Sequence, residues 1–234
     1  MSVVVAQRLY LPMETERRIT GWIDAYKHRE KPTDRSPTRL ILFGPADCGQ
    51  RGVIQRIATA TGLPMRPISL AAWRTQAPGR RLQAVSTWAP DTPSVIMLRP
   101  DPWLIQPNDL LQTDPWWTVF LEWVDSVPAH SWVILRTPDR PHAIALRRRF
   151  DDILGIPGPN GDSLIDWAIT TLDPSSTPAR VNAFAQLMAG FSWGDVAWAG
   201  HMAHRAWEAE HRHGSPLDYL GPAINARQQL LRDT

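Results

Sequence analysis

Residues 44–51 read Gly-Pro-Ala-Asp-Cys-Gly-Gln-Arg, a run whose residue types and spacing bear on phosphate chemistry. Gly44 and Gly49 are separated like the two glycines of G-x-x-x-x-G-K-[ST]. In that loop the lysine meets the β- and γ-phosphates of a nucleotide and the hydroxyl holds Mg²⁺. Here those two places are Gln50 and Arg51. A neutral carboxamide brings no charge to a phosphate, and a guanidinium repels the metal that a hydroxyl would bind. The loop has the frame of a phosphate cradle without the side chains that make one work.

Other constellations carry less chemistry. Cys48 lies in the same loop, but no base stands at motif spacing, so it reads as a packing or loop residue rather than a nucleophile. His201, His204, His211 and His213 fall on or near one helix. His201 and His204 share a face, yet no second pair of carboxylates or thiolates accompanies them; an exposed helix is expected there, and no metal. Arg147, Arg148 and Arg149, with Arg136 and Arg140, form the densest basic cluster. It reads either as a solvated helix end, whose dipole suits cations, or as a phosphate-backbone interface. Trp116, Trp117 and Trp123 cannot all face one side of a helix, so at least one is expected to be exposed or covered by another protein.

The elements that must position these residues can be read from apolar patterning. Short apolar runs at 39–43, 65–70, 95–98, 132–135 and 153–156 predict strands. Helical spacing predicts helices over 13–30, 52–62, 82–88, 116–127 and 143–150. Strands alternating with helices imply a mostly parallel sheet covered on both faces. The run Pro157-Gly158-Pro159-Asn160-Gly161-Asp162 is the strongest boundary signal. Only helical pattern follows it, over 163–172, 178–188, 193–211 and 222–231. Two domains are expected, 1–160 and 161–234.

Composition narrows the class. The chain has 234 residues, 43% of them hydrophobic, enough for a real core. Its 25 Lys and Arg nearly balance 23 Asp and Glu, which argues against a polybasic nucleic-acid or membrane binder. A single cysteine excludes an intramolecular disulfide. With no apolar stretch of membrane-spanning length and no signal pattern, a soluble cytoplasmic protein is expected. Its 12 tryptophans are many for this length, and some are expected to face partners.

In order along the chain, five segments resemble the AAA+ ATPases, and more narrowly the AAA group of remodelling ATPases. Leu40–Pro45 looks like the strand and first turn of their Walker A, and Thr92–Pro100 is similar to Walker B. Val133–Pro141 resembles the sensor-1 strand, and Ala145–Asp151 the arginine-finger segment. Ala189–Val196 is similar to the Gly-Phe-Ser-Gly-Ala-Asp-Ile turn of the helical lid. The resemblance covers residues 13–210 and implies a P-loop NTPase-like parallel sheet sandwiched by helices, with a small α-helical lid. It places a nucleotide pocket at Gly44, Pro45, Gly49, Gln50, Arg51, Arg99 and Asp139.

The departures from the family lie in that pocket. Arg99 and Pro100 stand where the family has its metal-coordinating Asp and water-polarising Glu. Asp139 stands for the sensor Asn, an anion where a γ-phosphate would sit. The pore-loop segment Gln76-Ala77-Pro78 before Gly79 has no aromatic at its tip, and nearby Trp73 reads as a packed residue. Arg148 and Arg149 align with the two finger arginines that reach a neighbour's γ-phosphate. The resemblance thus implies a vestigial pocket with no cofactor, in a subunit that assembles with itself or with an active AAA+ ATPase and could lend it arginine fingers. A weakly binding or slowly hydrolysing ATPase, with ATP or ADP in the pocket, and a nucleic-acid-associated scaffold are the alternatives.

Overall fold

The computed structural model describes residues 11–29, 38–75, 92–99, 115–141 and 144–225. The chain forms two compact units: one joins Met13–Gly44 to Gln50–Ile156, and the other gathers Pro45–Gly49 with the chain from Pro157 onward.

The first unit is α/β. Helix α1 (Met13–Lys27) precedes strand β1 (Arg39–Phe43), and α2 (Gln50–Thr61) follows the glycine loop. Then come β2 (Met65–Ser69), α3 (Leu70–Arg74), β3 (Val95–Arg99), α4 (Pro115–Ser126), β4 (Trp132–Thr137), α5 (Ile144–Arg147) and β5 (Asp152–Gly155). The five strands pair in parallel in the order β2-β3-β4-β1-β5. The predicted strands agree with these to within two residues. The central strands are unbroken apolar runs because both sheet faces are covered: Leu40, Ile41, Leu42, Ile96, Leu98 and Ile134 are all fully buried.

The outer strands differ from the central ones. β2 carries Pro67, in register with Met97 of β3. On β5, Arg18 of α1 pairs with the Asp152 carboxylate and donates to the Ile153 carbonyl at 3.3 Å. Trp22 Nε1 donates to Asp152 Oδ2 at 3.0 Å. At the entry to β1, Asp151 Oδ2 accepts the Thr38 and Arg39 amides, both at 2.8 Å.

Two sequence expectations are corrected in this unit. No helix was expected at 70–74, yet Ser69 caps α3, its Oγ accepting the Ala72 amide at 3.2 Å. The α4 tryptophans do not include an exposed one: Trp117 and Trp123 are buried, and Trp116 is half-buried. The reason is that α3 supplies a second wall. Trp73 is buried, as expected of a packed residue, and meets Trp116 edge-on at 5.9 Å and Phe120 at 6.5 Å. The predicted helix at 82–88 lies outside the described residues.

The second unit, beyond its loop segment, is helical. α6 (Gly161–Trp167) starts at a capping box in which Asn160 Oδ1 accepts the Ser163 amide at 2.9 Å. The expected single helix over 163–172 instead changes at Ala168–Leu172 into a π-helical turn. α7 (Pro178–Leu187) and α8 (Trp193–Ala209) follow, then a 3₁₀ turn at Pro216–Tyr219; residues 220–225 are helical again. Trp167 stacks on Phe184 at 5.6 Å and lies against Gly200 of α8, where an added Cβ would meet it at 2.2 Å. Asp173 ties the π-turn to the later chain. Its carboxylate accepts hydroxyl hydrogens from Ser175 at 2.6 Å, Ser176 at 2.7 Å and Ser215. The hydroxyls of Ser175, Ser215 and Ser176 hold this carboxyl well below the usual carboxylate range.

Candidate functional site

The glycine loop turns through two left-handed residues, Asp47 at φ 53° and Gly49 at φ 101°. Aspartate tolerates that region, whereas the Gly49 conformation is strained for any L side chain. The Cys48 amide donates to the Pro45 carbonyl at 3.3 Å, closing the turn, and the Cys48 side chain is buried. The helix then begins at Gln50, two residues earlier than the apolar pattern predicts.

That early start sets the direction of the Gln50 side chain. Gln50 is buried, and its Nε2 donates inward to the carbonyls of Thr137 at 2.9 Å, Leu42 at 3.2 Å and Gly44 at 3.5 Å. Its Oε1 accepts from Arg136 Nε at 3.3 Å. The carboxamide thus joins the carboxyl ends of the adjacent strands β1 and β4. Thr137 is the common point. Its carbonyl also accepts the Gly44 amide at 3.2 Å, filling both lone pairs, and its Oγ1 donates to the Asp139 carbonyl at 2.6 Å. A neutral donor suits this buried place, because it satisfies backbone carbonyls without placing a charge there.

The other expected pocket residues are distributed differently. Gly44 is buried and Gly49 half-buried, whereas Pro45, Arg51, Arg99 and Asp139 are exposed. Arg51 occupies the first turn of α2, and Arg99 ends β3 in register with Ser69. Pro100, Asp101 and the loop segment 76–79 lie outside the described residues.

The basic cluster divides into two kinds of arginine. Arg136 belongs to the strand ends, through its bond to Gln50, and not to a surface patch. Arg149 Nε pairs with Asp125 Oδ2 of α4 at 2.9 Å, and its Nη1 donates to the Ala145 carbonyl at 3.3 Å. Arg140, Arg147 and Arg148 are exposed, and their guanidinium groups meet no partner among the described residues. The two expected finger residues therefore differ: Arg149 is engaged within the chain, and Arg148 points free of it.

The histidines of α8 stand apart from all of this. His204 packs edge-on against Trp207 at 5.2 Å and faces Glu208 at 3.8 Å. No group of three or more metal-ligating side chains converges among the described residues. No helix among them is long and apolar enough to cross a membrane.

The fold of the chain is similar to that of solved structures. The FIGL-1 AAA domain in complex with ADP is similar with a TM-score of 0.66 at 19% identity, over 93% of this chain and 82% of that one. A second crystal structure of the FIGL-1 AAA domain is similar with a TM-score of 0.69 at 16% identity, over 97% of this chain and 84% of that one. This chain has an AAA+ ATPase-like fold. No protein-family model matches its sequence, and no curated protein does. At such identities the likeness is one of fold, and it makes the P-loop NTPase-like α/β class plain. Within the AAA+-like fold, β1, β4 and β3 are neighbours, so the segments bearing Gly44, Asp139 and Arg99 leave the sheet at the same, carboxyl end of its strands.

Sequence reasoning missed the Gln50–Arg136–Thr137 connection. Gln50 and Thr137 are 87 residues apart, and no spacing rule links them. The one available signal was chemical: a carboxamide is both donor and acceptor, as a junction of carbonyls and a guanidinium requires.

Proposed function

We propose that this chain is a catalytically inactive AAA+-like subunit that works by assembly, with copies of itself or with an active AAA+ ATPase whose site it completes. The observation that carries this reading is the inward course of Gln50, whose amide is engaged by the carbonyls of Thr137, Leu42 and Gly44. A side chain so held offers nothing to a phosphate. The neighbouring donor set agrees: Arg51 and Arg99 place cations where a magnesium ion would need a hydroxyl and a carboxylate, and both lie exposed. Magnesium-bound ATP does not fit these residues, and we assign no step of hydrolysis to them.

Arg148 supports the assembly half of the proposal. It is exposed at the end of α5 with a free guanidinium among the described residues, as a group acting on a neighbouring subunit must be. Arg149 is then a positioning residue, fixing the turn through Asp125 and the Ala145 carbonyl. The place of action would be the cytoplasm.

Calorimetric titration with ATP and Mg²⁺ tests the first half. Silence is expected, whereas micromolar binding would favour a slow ATPase. Native mass measurement of the assembly, alone and with co-purified protein, tests the second. A strictly monomeric chain that captures no ATPase would overturn it. In a mixed assembly Arg148→Ala should lower the partner's ATPase rate without unfolding this chain; an unchanged rate removes the trans-acting role.

A further inference from the structure

We propose that the groove between α5 and β5 is a docking site for a short acidic peptide segment of a protein partner. The groove has a volume of about 600 Å³ and is lined by Arg140, Arg147 and Arg148 around an apolar floor of Ile144, Phe150 and Ile153. That volume holds a few side chains and not a folded domain. Ile144 is 54% exposed, so its side chain is open to a partner beside the arginines.

Two carboxylates, Asp151 and Asp152, also line the groove, and both are already engaged. Asp151 accepts the Thr38 and Arg39 amides. Asp152 is bound by Arg18 and Trp22. The Arg18 charge offsets Asp152 from outside the groove, so three guanidinium groups face one uncompensated carboxylate. An excess of positive charge remains, on side chains that make no bond within the described residues. Such groups attract carboxylates and steer their approach.

Charge and floor together choose a peptide over a nucleic acid. Strong phosphate-backbone binding needs a track of many contacts, whereas this is an isolated patch on a chain of net charge +2. Among the described residues Phe150 is the one aromatic in the lining, and it is buried and offers no face on which a base could stack. Ile144 and Ile153 instead suit an apolar side chain set between acidic ones. This site does not depend on the inactivity of the nucleotide pocket or on the reach of Arg148 to a neighbour.

The test uses the full chain and a fluorescein-labelled peptide of sequence Glu-Leu-Glu-Glu-Leu-Glu, read by anisotropy. Saturable binding is expected, weakening as salt rises. Arg140→Glu with Arg147→Glu should weaken it by about tenfold or more. The pair Arg140→Gln and Arg147→Gln reads the same loss should the glutamate pair fail to fold. Ile144→Ser should weaken it about threefold, marking the apolar floor. Absence of saturable binding, indifference to either arginine pair, or tighter binding of a single-stranded hexanucleotide would overturn the proposal. Because Arg148 stays intact throughout, failure here leaves the trans-acting reading standing.

Discussion

Gln50 and Arg148 both stand where AAA+ resemblance would put a group acting on nucleotide, yet their surroundings are opposite. Gln50 is buried with both polar atoms of its side chain engaged, by Leu42, Gly44, Thr137 and Arg136. Arg148 is exposed and bonds to nothing described. The contrast teaches where each acts. A polar group turned inward contributes to the stability of its own chain, because unmaking its bonds strands buried partners. One turned outward contributes little to folding and remains available to another molecule. Substitutions at the two places should therefore separate stability from interaction.

The largest effect is expected at the inward group. Gln50→Leu takes the shared carboxamide from the strand-end carbonyls and from Arg136 Nε and should cost about 3 kcal/mol. Urea unfolding followed by tryptophan fluorescence measures it, and a loss below about 0.5 kcal/mol would erase the contrast. The helical unit offers a parallel case in Asp173. Asp173→Asn keeps the shape but cannot receive all the serine hydroxyls, so it should lower the melting temperature of that unit at pH 7.

The pH dependence of this second effect has a definite sign. The folded-state carboxyl of Asp173 is held below its ordinary value by the Ser175, Ser215 and Ser176 hydroxyls. Its stabilisation is therefore complete above the unfolded pKa of about 3.9 and fades as pH falls below it. Circular-dichroism melts should show the difference between native chain and Asp173→Asn shrinking from pH 7 to pH 3, and a constant difference would contradict the assignment. Smaller again is Arg149→Ala. It breaks a pair whose side chains are 32% and 51% exposed, for a loss of about 0.5 kcal/mol. Arg148→Ala should change stability least, by under about 0.5 kcal/mol in the same unfolding experiment. A loss at Arg148 larger than at Arg149 would show that the outward group has a structural duty after all.

Much of the fold was legible because its information is local. Unbroken apolar runs such as Leu40–Leu42 and Val133–Leu135 mark strands buried on both faces, and the helical pattern from Trp193 marks the start of α8. What was hidden depends on contacts between distant segments. The tryptophans of α4 could not be placed by helical arithmetic, since the wall that covers Trp116 is Trp73 from α3. Gln50 reads in sequence as a missing lysine, and only its course toward Thr137 reveals a positive role. Likewise Arg148 and Arg149 are adjacent and alike in sequence, and Asp125, 24 residues away, is what tells them apart.

The two outermost strands carry a last consequence. In β2 the ring of Pro67 removes an amide hydrogen, and at β5 Arg18 occupies the Ile153 carbonyl while Asp152 Oδ1 takes the Ile153 amide at 2.8 Å. A free strand edge is a template on which a foreign strand can add itself, and both edges of this sheet have been blunted against that. Copies of the chain cannot zip together along Ile153 by continuing the sheet. Contacts made on that side must use side chains, which can be tuned residue by residue and released, where a fused ladder of main-chain bonds could not.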